Sequence, residues 1–168
     1  MKRSCLTALL AVLAVACSSP PSPPARIIAG GCAGTVATDS EPPAWAQSGW
    51  THQNVTPWPV PWVLGTFGNA VAYLFATELV AGGGARVDGS SNKVLWVVKD
   101  SPTAAIAVVA RPFGLADPVV VIKVAGGPSI VEVPSPGCWT FKLSWSASGD
   151  HSSTINLEVL PTGTLPSR

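Results

Sequence analysis

The chain has 168 residues, of which 47% are hydrophobic and only 11% charged, with a formal net charge of +1. That charged fraction is under half of what soluble domains usually carry, so the surface must draw on Ser, Thr, Gly and Pro, and no basic stripe is present to recruit nucleic acid. The sequence holds two histidines, so any metal-ligand or nucleophile–base reading that needs imidazole has to use His52 or His151.

The first segment, Met1 to Cys17, reads MKRSCLTALLAVLAVAC. Lys2 and Arg3 give it a positive start, and the apolar run from Cys5 to Ala16 is shorter than the roughly 20 helical residues that span a hydrocarbon core. A cleavable signal over residues 1–16 is expected rather than a membrane span. Ala14, Val15 and Ala16 place small side chains directly before Cys17, and this stretch resembles the bacterial lipoprotein signal motif, with Ala14 standing where that family prefers Leu. The resemblance implies that Cys17 becomes the mature N-terminus, that its thiol carries a diacylglyceryl group, and that the new amine is often acylated, palmitate being the expected chain. Each buried methylene contributes about 0.8 kcal/mol, so two or more chains would hold the protein on the extracytoplasmic face of the cell membrane. The same residues also fit a plain secretory signal cut after Ala16, with Cys17 an incidental thiol.

Loss of the leader removes Lys2 and Arg3 from ten basic residues, leaving eight against nine acidic ones, a nearly neutral mature chain. The leader also takes Cys5 and the lipid takes Cys17, so Cys32 and Cys138 remain as an even pair. An exported protein is expected to join them as a disulfide.

Ser18 to Ala25, SSPPSPPA, lacks the backbone donors for helix or sheet, so residues 17–26 read as an extended spacer and residues 27–168 as one domain. Ile27 to Cys32 suits a first short strand. Ala33 to Pro61 is polar, Pro-rich and punctuated by Trp45, Trp50 and Trp58, with Trp62 just beyond, and reads as a long covering loop. Exposed, the rings of Trp50, Trp58 and Trp62 would stack on sugars or prolines; buried, they would seal an open end or edge of the fold.

From Asn69 the pattern is that of strands: Ala70–Ala76, Val94–Lys99, Ala104–Ala110, Val119–Ala125, Ile130–Val133, Cys138–Ser146 and Thr154–Leu160. Trp139, Phe141, Leu143 and Trp145 alternate with Thr140, Lys142 and Ser144, and Ile155, Leu157 and Val159 alternate with polar neighbours. Such period-two patterning puts one face on a core and the other in water. Ala147 to Ser153 is expected to join these last two strands as a hairpin. Short antiparallel strands separated by turn formers point to an all-β, two-layer sandwich.

The block Gly127 to Ser146, GPSIVEVPSPGCWTFKLSWS, resembles the end of immunoglobulin-like modules in bacterial surface proteins, uncharacterised envelope lipoproteins among them. In that resemblance Ile130–Val133 is the preceding strand, Gly137 the turn, and Cys138 with Trp139 the start of the penultimate strand. The chain departs from antibody-type domains, because Cys32 and Cys138 lie too far apart for their intersheet bridge and Trp139 adjoins a cysteine. Shared fold of this kind implies little about function.

No G-x-S-x-G, H-E-x-x-H or paired C-x-x-C occurs, and Asp150-His151-Ser152 is no triad, because consecutive residues cannot face one another as nucleophile, base and orienter must. No cofactor and no metal are expected. The sequence therefore reads as a monomeric, lipid-anchored, non-catalytic envelope domain whose partner is a protein or a wall polysaccharide. The alternatives are an inhibitor or ligand-carrier sandwich, and a hydrolase working through His52.

Overall fold

The computed structural model describes residue 32 and residues 40–51, 57–76, 78–82, 89, 91–101, 104–125 and 127–164. The expected leader, Cys17, the spacer, most of the first strand and His52 lie outside the described residues.

Among the described residues nine strands form two sheets. They are β1 (Trp62–Leu64), β2 (Ala70–Leu74), β3 (Leu79–Val80), β4 (Lys93–Val98), β5 (Ala105–Pro112), β6 (Val120–Ala125), β7 (Ser129–Ile130), β8 (Gly137–Ser146) and β9 (Asp150–Leu160). One sheet runs β1-β2-β4-β7 and the other β3-β9-β8-β5-β6. All neighbours are antiparallel except β3 and β9, which pair in parallel through Leu79–Val159 and Val80–Leu160, a departure from the wholly antiparallel fold expected.

The core between the sheets follows from alternation. Ile106, Val108 and Ala110 of β5, Trp139, Phe141, Leu143 and Trp145 of β8, and Ile155, Leu157 and Val159 of β9 are buried against Ala70, Ala72, Leu74, Val94, Trp96 and Val98. The intervening residues of β8, among them Lys142, Ser144 and Ser146, face water. β2 breaks the alternation, since all five of its residues are buried. Its second face, with Val71 and Tyr73, packs with Val97 of β4 under Ala46, Trp58 and Trp62.

The segment from Ser40 is thus a third layer, laid over the outer face of the smaller sheet. A short 3-10 helix, Ala44–Gln47, puts Ala46 against that face, and the Tyr73 hydroxyl donates to the Ala46 carbonyl at 2.8 Å. The Trp62 indole donates to the Ser40 carbonyl at 2.9 Å. Gln47, also buried, donates to the Pro42 carbonyl and to Glu41.

Two connections depart from expectation. The strand expected at Ile130–Val133 is laddered only over Ser129–Ile130: Val131 N–H still reaches the Asn92 carbonyl in register, but the Val131 carbonyl accepts from the Asn92 side chain and the Val133 carbonyl from Gly82 N–H. The β8–β9 hairpin is tighter than Ala147–Ser153: the ladder closes at Ser146–Asp150, leaving Ala147–Gly149 as the turn.

At the start of the last strand pair, Cys32 and Cys138 form a disulfide with Cα atoms 5.4 Å apart and 106 positions of sequence separation. Cys138 lies at the beginning of β8, so the bridge ties the N-terminal region to the central strand pair of the larger sheet.

Candidate functional site

The three tryptophans singled out by sequence separate into two environments. Trp58 and Trp62 are buried under the covering segment, so their rings are committed to the third layer and offer no platform. They seal the outer face of a sheet rather than an open end or edge of the sandwich. Trp50 is half-buried, edge-on to Trp58 at 5.7 Å, 4.9 Å from Tyr73, and stacked on Phe75 at 6.3 Å with 20° between the planes.

Phe75 stands just past the end of β2 and remains 44% exposed. The Lys93 ammonium sits 5.3 Å from its ring centre, a distance at which cation–π attraction contributes about 0.5–1 kcal/mol in an exposed setting. Together Trp50 and Phe75 wall a cleft of about 350 Å³ whose other side is built from β4, the start of β5, and Gly127–Pro128.

The backbone along this cleft is equally informative. Phe75 N–H donates to the Lys93 carbonyl and Lys99 N–H to the Asn69 carbonyl, so the odd-numbered residues of β4 bond β2. Val94, Trp96 and Val98 therefore turn their backbone groups to the opposite side. β7 pairs with β4 over Lys93 and Val94 alone, and among the described residues no strand lies beside Trp96 and Val98. The cleft thus combines two stacked aromatic rings with a short length of sheet edge. Trp96 also lines the cleft, its indole donating to Ser129 Oγ at 2.9 Å.

A second, wider depression of about 970 Å³ lies across the end of the larger sheet, with Lys123, Lys142, Ser144, Asp150 and His151 in its lining. Strand alternation decides its chemistry. Asp150 and Ser152 pair with Ser146 and Ser144, whereas His151 pairs with Trp145. The Asp150 carboxylate accepts from Ser146 Oγ at 2.9 Å, and the His151 ring stacks on Trp145 at 5.7 Å with 17° between planes. Acid and imidazole are thus engaged with different partners, and Ser152 is on the opposite face from the imidazole, so no proton relay is assembled. Among the described residues no three His, Cys, Asp or Glu side chains come together as a metal site.

No family model, curated protein or solved structure matches the chain.

Phe75 and Lys93 were not distinguished by the sequence reading, and Trp50 was grouped with two residues that prove to be buried. The window AVAYLFATE gave one signal that would have found Phe75: the strand must end before Glu78, so a large aromatic ring is left at its exposed end.

Proposed function

We propose that the protein is a lipid-anchored, non-catalytic domain of the cell envelope that binds an extended partner chain, a peptide segment or a wall glycan, in the Trp50–Phe75 cleft. The observation that carries this reading is the stacked Trp50–Phe75 pair beside the β4 edge. Aromatic faces stack on sugar rings and prolines, and a strand edge offers main-chain donors and acceptors to an extended peptide. The immunoglobulin-like reading of the sandwich belongs to the same proposal and is supported by the two-sheet packing and by the Gly137–Cys138–Trp139 entry into β8.

The anchor rests on the lipoprotein-like residues ahead of Cys17. Metabolic labelling with a palmitate analogue should mark the parent chain and not Cys17→Ala; a variant that still labels refutes the anchor. For the cleft, isolated cell-wall material and solubilised envelope proteins are offered in turn to the full chain and to Trp50→Ala and Phe75→Ala. Retention of one of the two materials by the parent, reduced at least tenfold in both variants, is the expected result. Equal retention by parent and variants removes the cleft from the function.

A further inference from the structure

Among the described residues eight large apolar side chains remain exposed, and four of them, Phe113, Leu115, Val119 and Val121, belong to the β5–β6 hairpin. Apolar residues scattered singly are ordinary on a protein surface, whereas half of them gathered on one hairpin marks a contact surface. Phe113 and Leu115 stand in the connection after Pro112, and Val119 and Val121 lead into and along β6.

Register places cations beside them. Val121 pairs with Val109 and Val109 with Lys142, so one row of the larger sheet's outer face reads Val121, Val109, Lys142. Two residues along β5 the row reads Lys123, Ala107, Ser144, and two residues the other way stands Arg111. The alternation that buries Ile106, Val108 and Ala110 turns these odd-numbered residues of β5 away from the core. The acids of the same face, Asp150 and Glu158, are on β9, which β8 separates from the hairpin, and Asp117 is the acid of the connecting loop. Exposed apolar groups fringed by Arg111, Lys123 and Lys142 suit the interface of an anionic bilayer, where apolar tips enter the headgroup layer and cations meet lipid phosphates.

The path of the chain points to the same partner. Phe113 N–H donates to the Cys138 carbonyl, and Cys138 is bridged to Cys32, so the N-terminal region is fastened to the domain beside this hairpin. Cys17 stands 15 positions before Cys32, and a stretch of that length spans at most about 50 Å. We propose that the β5–β6 hairpin, with Arg111, Lys123 and Lys142 beside it, docks the domain on the anionic lipid surface that holds Cys17. The tether keeps the hairpin at high effective concentration over the bilayer, so modest affinity suffices. The Trp50–Phe75 cleft is lined by Ile106 of β5, roughly 23 Å of strand from Phe113, and Trp50 packs over the smaller sheet. Docking through the hairpin and the larger sheet therefore turns the cleft outward. The tether and this orientation rest on the proposed anchor, whereas the affinity of the face for lipid does not.

The test attaches the environment-sensitive fluorophore NBD to Leu115→Cys in the full chain, with the parent chain as the control for its own thiols and Ser48→Cys as the probe at the cleft. Vesicles of phosphatidylglycerol mixed with phosphatidylcholine should shift the Leu115 probe to the blue and let spin-labelled lipid quench it, and phosphatidylcholine alone should do so far less. The Ser48 probe should stay in water with both. Lys123→Glu combined with Lys142→Glu, at two exposed positions, should raise the anionic lipid concentration needed by at least about tenfold. If the Cys17 thiol proves free to alkylate, the anchor fails, and the vesicle measurement still decides the docking. A Leu115 probe that stays in water at millimolar anionic lipid overturns it, as do equal responses from Leu115 and Ser48, equal insertion into neutral vesicles, or insertion that ignores the two lysines. A Leu115 probe already shielded without vesicles would mean that a second copy or another protein covers the hairpin, and overturns it as well.

Discussion

Asn92 completes the backbone of Val80 in both directions: Val80 N–H donates to Asn92 Oδ1 at 2.9 Å, and Asn92 Nδ2 donates to the Val80 carbonyl. The same amide donates to the Val131 carbonyl at 3.1 Å, so one buried side chain fastens β3 to the segment after β7 where no ladder does so. Replacement by Ala leaves several buried polar groups without partners, each costing about 1–3 kcal/mol. Asn92→Ala should therefore lose about 2–4 kcal/mol in urea unfolding. Asn92→Asp, which keeps the acceptor for Val80 N–H but loses the amide donors, should also be destabilised.

The turn between β1 and β2 makes the opposite prediction. Phe67 has φ of +66° and is 88% exposed, so the backbone holds an aromatic residue in the left-handed region without burying its ring. The turn is fixed from the side, because Thr66 accepts from Ser153 Oγ and from the Thr154 N–H, both at 2.8 Å. Left-handed geometry costs a residue with a Cβ roughly 1–2 kcal/mol, part of which glycine gives back as chain entropy when unfolded. Phe67→Gly should raise stability by about 0.5–1 kcal/mol, seen as a higher unfolding midpoint.

Tyr73 links stability to alkaline pH. Burial pushes its phenol well above its ordinary value, since the charged phenolate is disfavoured under the covering segment. The folded state then holds a proton that the unfolded state releases near pH 10, so this contribution is intact below pH 10 and declines as pH rises above it. Denaturation midpoints of the parent should drop above pH 10, and Tyr73→Phe should flatten that drop. At neutral pH the same variant should cost about 1–2 kcal/mol through the Ala46 carbonyl it leaves without a donor.

The disulfide closes a long loop, and the loop-entropy relation assigns a bridge over about 100 residues roughly 4–5 kcal/mol. A Cys32→Ser, Cys138→Ser double variant should unfold at lower denaturant by about that amount. An unchanged midpoint would mean that the bridge adds nothing to the folded domain.

How much of this was legible in the chain depended on whether a strand had one wet face. β8 and β9 did, and the Trp139–Trp145 and Ile155–Val159 alternations located both. Even there β9 begins at Asp150 rather than Thr154, because Asp150, His151 and Ser152 have turn-like chemistry that cross-strand pairing overrides. β2 is buried on both faces, so its run AVAYL has no alternation to read. β3 is two residues long and paired in parallel with a strand some 80 positions away, which no local pattern encodes. The Trp–Pro segment was visible as an unusual stretch, but which rings stay accessible depends on the sheet it lies across. Trp50 keeps a partly open ring where it lines the cleft beside Phe75, at the end of β2.

The third layer sets a limit on how the chain is divided. A fragment starting at Pro57 would retain every strand of the described residues and still open the face of Val71, Tyr73 and Val97 by losing Ala46, and with it the carbonyl that accepts from Tyr73. The practical N-terminal boundary of the folding unit is therefore upstream of Ser40, whose carbonyl receives the Trp62 indole, and a recombinant domain cut by strand content alone would be soluble only at the expense of an open apolar sheet.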